Sequence, residues 1–388
     1  MSYGFHAHPA FRLVGAADAE LGKPSSPAGS LQCNSTYSLN IGMEPVAVDL
    51  SQVKPGELRA ALDLPEDLKV DVLCACPPCT GFSRANPLNH LRDDPRNSLV
   101  SRSAEFAVAL GADVVMMENA RELMHGNFAE HYERFADCLR GNGYRLYGKV
   151  YLLSLFGLPQ IRERAIIVAA KREYDLHTLD ELWAGYRVAE VALTVQRAFS
   201  VVDARDPAQK LFPQFASQEV RERMHSIPVD GGSWLDLAKN ARTRHLLTNA
   251  MQRNWSTGRV GSYPDVYGRM WWNRPAPTIK RECAHCGNGR YAHPVEDRLC
   301  SVREMATLQG FPQEFRFEDS ALSNLYRHIG DAVPPLVSHQ LAWVCNWMLT
   351  GEKPSIRQTI LPNTHLRRDE DIEEDYAILL ESGTGTGA

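Results

Sequence analysis

No apolar run in the 388 residues reaches the ~18 needed for a membrane-spanning helix. The opening, MSYGFHAHPAF, lacks the charged-then-apolar plan of a secretory signal. The even, closely spaced cysteines of a disulfide scaffold are missing too: nine are scattered through a long chain, as expected of reduced thiols in the cytoplasm. There is no internal repeat. Positive charge is not in excess, with a net charge of -5 and a pI of about 6.2, which argues against a simple basic nucleic-acid binder. Together these absences indicate a soluble cytoplasmic protein with no membrane partner. What is present is an ordinary globular balance, 44% hydrophobic and 23% charged, which excludes a mainly disordered chain. The length suits two domains.

Sorted by region, the charge reads differently. The stretch from Leu366 to the end holds seven acidic and two basic residues, so residues 1–365 are neutral. Between Arg221 and Arg303 lie fourteen Lys or Arg against seven Asp or Glu. A basic region inside a neutral body is what a phosphate-contacting surface requires; a solvated Arg-rich face would look the same by composition. The acidic end, 351–388, reads as a mobile tail.

Short apolar runs alternate with amphipathic stretches. Strands are predicted at Phe11–Ala17, Pro45–Leu50, Val70–Ala75, Asp113–Met117, Leu146–Leu153 and Ala165–Ala170, and helices at Ser98–Leu110 and Phe128–Arg140. Such alternation predicts an α/β domain with a mostly parallel sheet and ligands at the carboxyl ends of its strands. The pattern fades after Asp203. Residues 1–203 are thus assigned to a catalytic domain and 204–326, rich in Arg, Trp, Gly and Pro, to a smaller irregular one. Residues 327–350 return as a helix to the first domain.

Three segments carry chemistry. In CACPPCTGFS (74–83) a strand stops at two prolines and presents Cys79 in a turn, where basic neighbours such as Arg84 can activate a thiolate; the alternative is a small buried hydrophobe. The strand DVVMM ends in Glu118-Asn119, an acid that serves either as a helix-start charge or as a carboxyl whose pKa is raised by its apolar approach. Before the run AIIVAA, Arg162 and Arg164 stand two apart, on one side of a strand, where both can reach an anion. Cys283-Ala-His-Cys286, with His293 and Cys300, lacks the spacing of a standard zinc finger and is read as loop, so no metal is assigned.

With these in place, the chain resembles the DNA cytosine-5 methyltransferase family. The match is carried by PPCTGFS (77–83), DDPRNSL (93–99), ENA (118–120), GLPQIRERAIIV (157–168), RPAPTI (274–279), GRYAHP (289–294), REMATLQGFP (303–312) and HIGDAVPP (328–335), in the family's order over roughly residues 11–345. The resemblance implies a Rossmann-like sheet dependent on S-adenosylmethionine and a smaller target-recognition domain. It implies Cys79 as nucleophile towards carbon 6 of cytosine, Glu118 as acid at ring nitrogen 3, and Arg162 and Arg164 holding the base, which is flipped out of the duplex. Cofactor contacts are expected from Asp18 (ribose), Asp49 (adenine amino group), Pro77, Asp331 and Val333. DNA contacts are expected from Ser83, Arg84, Arg269, Arg274, Lys280 and Arg281.

The sequence also departs from the family. Thr80 stands where Gln is usual and Asp331 where Asn is usual, and an Asp cannot donate as an amide does. Lys23–Ser30 reads as an inserted loop after Asp18. The family's first strand, with its Phe-x-Gly-x-Gly turn, is expected upstream of Phe11, and MSYGFHAHPA contains no such turn. A truncated start, a second polypeptide supplying the strand, or a chain that does not methylate alone would each account for it. The expected activity is cytosine-5 methylation of double-stranded DNA in bacterial restriction-modification or defence, close to the nucleoid. The alternatives are methylation of a tRNA, known in one branch of the family, and a DNA-binding subunit inactive without its partner.

Overall fold

Val114, Val115, Met116 and Met117 are each at most 1% exposed. A run buried on both faces belongs at the centre of a sheet with helices on either side. The computed structural model describes residues 1–20, 32–79, 81–82, 93–258, 264–318 and 321–375. It contains a four-stranded sheet of β1 (Val72–Ala75), β2 (Val114–Asn119), β3 (Tyr144–Leu152) and β4 (Glu163–Lys171), ordered β1-β2-β4-β3. Side chains alternate between two cores. Val114, Met116, Ile166 and Val168 face the helix Pro335–Thr350, while Val115, Met117, Ala165 and Ile167 face the helices Ser98–Leu110 and Glu130–Gly141. This is the Rossmann-like methyltransferase architecture expected.

Two expectations need correction. The sheet is not mostly parallel: β1 pairs parallel with β2, but β4 lies antiparallel between β2 and β3. Only residues 153–162 join β3 to β4, with no helix long enough for a crossover, so the chain must turn straight back. The runs Phe11–Ala17 and Pro45–Leu50 are not ladder strands. They meet in one parallel bridge, Ala17 to Val46, flanked by Asp18 N–H to Val46 O (3.1 Å) and Val46 N–H to Ala16 O (2.8 Å). Among the described residues nothing pairs with the second edge of β1.

The returning helix Pro335–Thr350 is buried nearly all round, and the short helix Ser2–His6 docks on it through Gly4 and Phe5. A third correction concerns the C-terminal stretch. Ile356, Ile360, Leu361, Leu366 and Ile372 are buried in the same core, and β6 (Ile372–Glu374) pairs with β5 (Tyr186–Val188). Residues 351–375 are therefore packed, because apolar side chains lie between the acids and arginines meet the acids: Arg197 with Asp371 at 2.9 Å, Arg187 with Glu373 at 2.8 Å. No helix among the described residues is long and apolar enough to cross a membrane.

The second core runs from Val195 to Ile329 and gathers short helices and isolated bridges, not ladders. Backbone carbonyls without ladder partners still need donors, and here arginines supply them. Arg290 donates to the carbonyls of Gly231, Gly232 and Arg269, and Arg303 to those of Pro312 and Phe315. Arg223, Arg269, Arg290 and Arg303 are buried, and Arg298 is held by Glu296 and Glu304. Much of the basic excess at 221–303 is thus internal bracing and not surface.

Candidate active site

The two prolines after β1 end its ladder and carry the chain to Cys79 above the carboxyl ends of β1 and β2. Asn119, the last residue of β2, ties the two strand ends together by donating Nδ2–H to the Pro77 carbonyl at 3.0 Å. Its neighbour Glu118, 8% exposed, points at Arg164, whose Nε lies 2.9 Å from Oε1. Cys79 lies in the field of Arg164, Glu118, Asp331 and Arg162. Burial pushes its thiol pKa up, and the acids add to this, while Arg164 and Arg162 pull it down. Burial is the largest of these influences, so the resting thiol is held in its protonated form.

Arg162 differs from Arg164. It is 2% exposed and donates to the carbonyls of Ile279 (2.9 Å), Gly330 (3.3 Å) and Ala332 (3.5 Å). It thus fastens the segment before β4 to two segments remote in sequence, and its Nε has no partner among the described residues. Beside it Gln160, wholly buried, donates to Gln309 Oε1 at 2.8 Å and accepts from the Ile279 N–H at 2.9 Å, while Gln309 donates to the Ala332 carbonyl at 2.8 Å. The sequence reading gave these glutamines no role; polar residues inside otherwise apolar runs were the available signal. Gly330 permits the close approach, since a Cβ there would lie 2.4 Å from the Lys280 carbonyl oxygen.

The structure therefore brings Cys79, Glu118, Arg162, Arg164 and Asp331 to one place. Asp331 forms an ion pair with Arg281 at 3.1 Å, and Val333 is buried two residues on. Asp18 and Asp49 follow the bridged Ala17 and Val46. Asp18 Oδ1 accepts the Glu20 N–H at 2.6 Å and Asp49 Oδ1 the Ser51 N–H at 2.9 Å. Burial raises the Asp18 carboxyl pKa. Two acids at neighbouring chain ends fit the hydroxyls of a ribose and an exocyclic amine. The α-ammonium of Met1 lies close enough to act on the Cys74 and Cys76 thiols, beside the second edge of β1.

The expected DNA contacts divide. Arg274 is exposed, its guanidinium stacked 4.8 Å over Trp271, and Lys280 is exposed too. Arg281 is engaged with Asp331. Arg269 is a correction: at 1% exposure it donates to the carbonyls of Met224, Ile227, His293 and Glu296 and pairs with Asp297, which leaves nothing for a phosphate. Ser83, Arg84, Thr80 and the Lys23–Ser30 insertion lie outside the described residues. Cys283 and Cys300 are buried apart, the first against the Tyr326 carbonyl and the second against the Met270 sulfur.

A family model described as C-5 cytosine-specific DNA methylase matches residues 25–347. The type II methylase M.HgiDII of Herpetosiphon aurantiacus is 28% identical over 328 residues, covering 82% of this chain and 87% of that protein. The type II methyltransferase M1.BsuMI of Bacillus subtilis is 30% identical over 302 residues, covering 74% and 65%. Among solved structures, one described as a DNA modification methyltransferase encoded within an E. coli prophage aligns with a TM-score of 0.59 at 19% identity, over 90% of this chain and 95% of that one. The S. pombe Dnmt2 methyltransferase aligns with a TM-score of 0.55 at 17% identity, over 89% and 94%. At these identities the two structures speak for the fold alone.

Proposed function

Since the chain belongs to the C-5 cytosine-specific DNA methylases, enzymes that take their methyl group from S-adenosylmethionine, we propose that it methylates cytosine in duplex DNA through a covalent adduct at Cys79, in a type II restriction-modification setting. The observation that carries this reading is the meeting of Cys79, Glu118 and Arg164 at the ends of β1, β2 and β4.

Carbon 5 of cytosine is a poor nucleophile. Addition of the Cys79 sulfur to carbon 6 makes carbon 5 enamine-like and splits one hard step into two easier ones. Negative charge then develops on the ring. The proton given up by the Cys79 thiol passes by way of the Glu118 carboxylate to nitrogen 3, and Arg164, already beside Glu118, stabilises the charge. Arg162 holds the floor of the site through three carbonyls and keeps Arg164 in place. The cofactor supplies an electrophilic methyl group, with Asp18 and Asp49 suited to its ribose and amino group. Loss of the carbon-5 proton to solvent then expels the Cys79 sulfur as a thiolate, which recovers its proton from nitrogen 3 by way of Glu118. A base stacked in a duplex cannot reach this site, so it must be flipped out, with Arg274 and Lys280 available to the flanking phosphates.

Among the described residues the second edge of β1 has no ladder partner, which supports one addition: a strand from outside them, on further sequence or on a second polypeptide, pairs there and completes the cofactor pocket. Saturable binding of S-adenosylmethionine by this chain alone would overturn that addition. The main reading is tested with labelled cofactor and duplex DNA. Transfer to carbon 5 is expected in the native enzyme and none in Cys79→Ser; transfer that persists in Cys79→Ser refutes the mechanism.

A further inference from the structure

His131 sits near the start of the helix Glu130–Gly141, outside every motif discussed above, and is 3% exposed. Its Nε2 lies 3.0 Å from both carboxylate oxygens of Asp93. The same Asp93 accepts Nδ2–H of the wholly buried Asn97 at 2.8 Å. On the other side of this group lies the turn that carries Cys79. The Phe82 N–H donates to the Cys79 carbonyl at 3.1 Å, closing the turn. The Phe82 ring, 5% exposed, stands edge-on to the imidazole, with centroids 6.1 Å apart at 81°. Gly81 presses on Asn97 and Asp94: a Cβ there would lie 2.0 Å from Asn97 Oδ1 and 2.8 Å from Asp94 Cβ.

Two stretches, Gly81–Phe82 beside Cys79 and 93–97, thus meet over one imidazole. The second is bonded to it and the first is packed on both the ring and the bonded residues. Glu130 stands alongside, yet Nε2 is already engaged by Asp93, so the pair His131–Asp93 is a hydrogen-bonded clamp and not an open ligand set. Among the described residues, His131 Nδ1 and Asn97 Oδ1 have no hydrogen-bond partner. A hydrophobic side chain would fill the same space without leaving such an atom. The histidine is explained by the single bond it directs at Asp93.

We propose that His131 is a positioning residue that sets the Cys79 turn through Asp93 and Asn97, an inference that rests on the reading of Cys79 as nucleophile. It does not touch the reacting atoms. Leucine at 131 fills the space but has no donor; glutamine places an amide N–H where Nε2 was.

The full chain, His131→Leu and His131→Gln are treated with iodoacetamide, and alkylation is followed cysteine by cysteine by mass spectrometry. The buried Cys300 and Cys345 report general loosening. In His131→Leu, Cys79 is expected to alkylate on the order of tenfold faster, with Cys300 and Cys345 unchanged, because a turn freed from its clamp releases the thiol from burial. His131→Gln is expected to stay within about twofold of the native chain. Methyl transfer in His131→Leu should lose about tenfold or more in kcat with the KM for DNA unchanged, since small misplacements of a nucleophile are costly. The inference is overturned if Cys79 reactivity does not change, if it rises only in step with Cys300 and Cys345, or if glutamine behaves as leucine does. Absence of methyl transfer by the native enzyme would sink the functional reading and leave the thiol result standing.

Discussion

Replacing Arg269 with alanine separates a structural brace from a DNA contact. Its guanidinium donates to Ile227 O at 3.2 Å, His293 O at 3.3 Å, Glu296 O at 2.6 Å and Met224 O at 2.8 Å, and it pairs with Asp297. Alanine leaves four carbonyls without their shared donor in the place where Arg269 was 1% exposed, while Asp297, 43% exposed, keeps His225 at 2.7 Å. A buried acceptor left without its donor costs about 1–3 kcal/mol, and the four together, after relaxation, about 3–5 kcal/mol. At roughly 2–4 °C per kcal/mol for a unit of this size, the melting temperature should fall by roughly 6–20 °C. Lysine keeps the charge but brings three donors in place of five, so Arg269→Lys should recover only part of the loss. Calorimetry of the full chain measures the melting, and DNA affinity titrated against salt, at a temperature where all variants are folded, measures phosphate contacts. The bracing role predicts a large thermal shift and an unchanged salt slope. A melting temperature within a degree of the native value, with the slope reduced by about one, would refute it and restore Arg269 to the DNA surface.

Two further outcomes follow from burial. His8, 2% exposed, accepts the Ala10 N–H at Nδ1 and packs on Trp343, with burial lowering its pKa to about 4; burial lowers that of His365 to about 3. An imidazole with a depressed folded pKa contributes stability that is complete above about 6.5 and is lost as the pH falls towards the folded value, at most on the order of 3 kcal/mol for His8 and 5 kcal/mol for His365. Urea midpoints should therefore drop steadily from pH 6.5 to pH 4, and a His8→Phe, His365→Leu double variant should flatten that slope; equal slopes would contradict the assignment. Truncation after Lys353 removes Ile356, Ile360, Leu361, Leu366 and Ile372 from the first core. The truncated chain should be insoluble or melt at least 10 °C lower, at roughly 1.5–3 kcal/mol for each large side chain removed; a native-like melt would mean that the stretch is dispensable.

The sequence was most legible where local rules and chemistry agree. Two prolines must end β1, so the position of Cys79 could be read directly, as could a strand delivering Glu118 and paired arginines ahead of β4. It was least legible where the outcome depends on which segments meet. Arg162 and Arg269 look like any exposed arginine in sequence, because burial of a guanidinium is decided by carbonyls hundreds of atoms away along the chain. The acidic count over 366–388 likewise hid the apolar residues that dock Leu366 and Ile372.

By itself, then, the sequence determined the family, the order along the chain of the strands that carry the candidate site, and the turn that presents Cys79, since each depends on residue type and spacing within a short segment. Tertiary structure alone decided which way β4 runs, which arginines face inward, that Asp331 meets Arg281, and that the Cys79 turn rests on an imidazole from a distant helix. Those outcomes depend on hydrogen bonds and packing between segments far apart in the chain, whose partners no local pattern names.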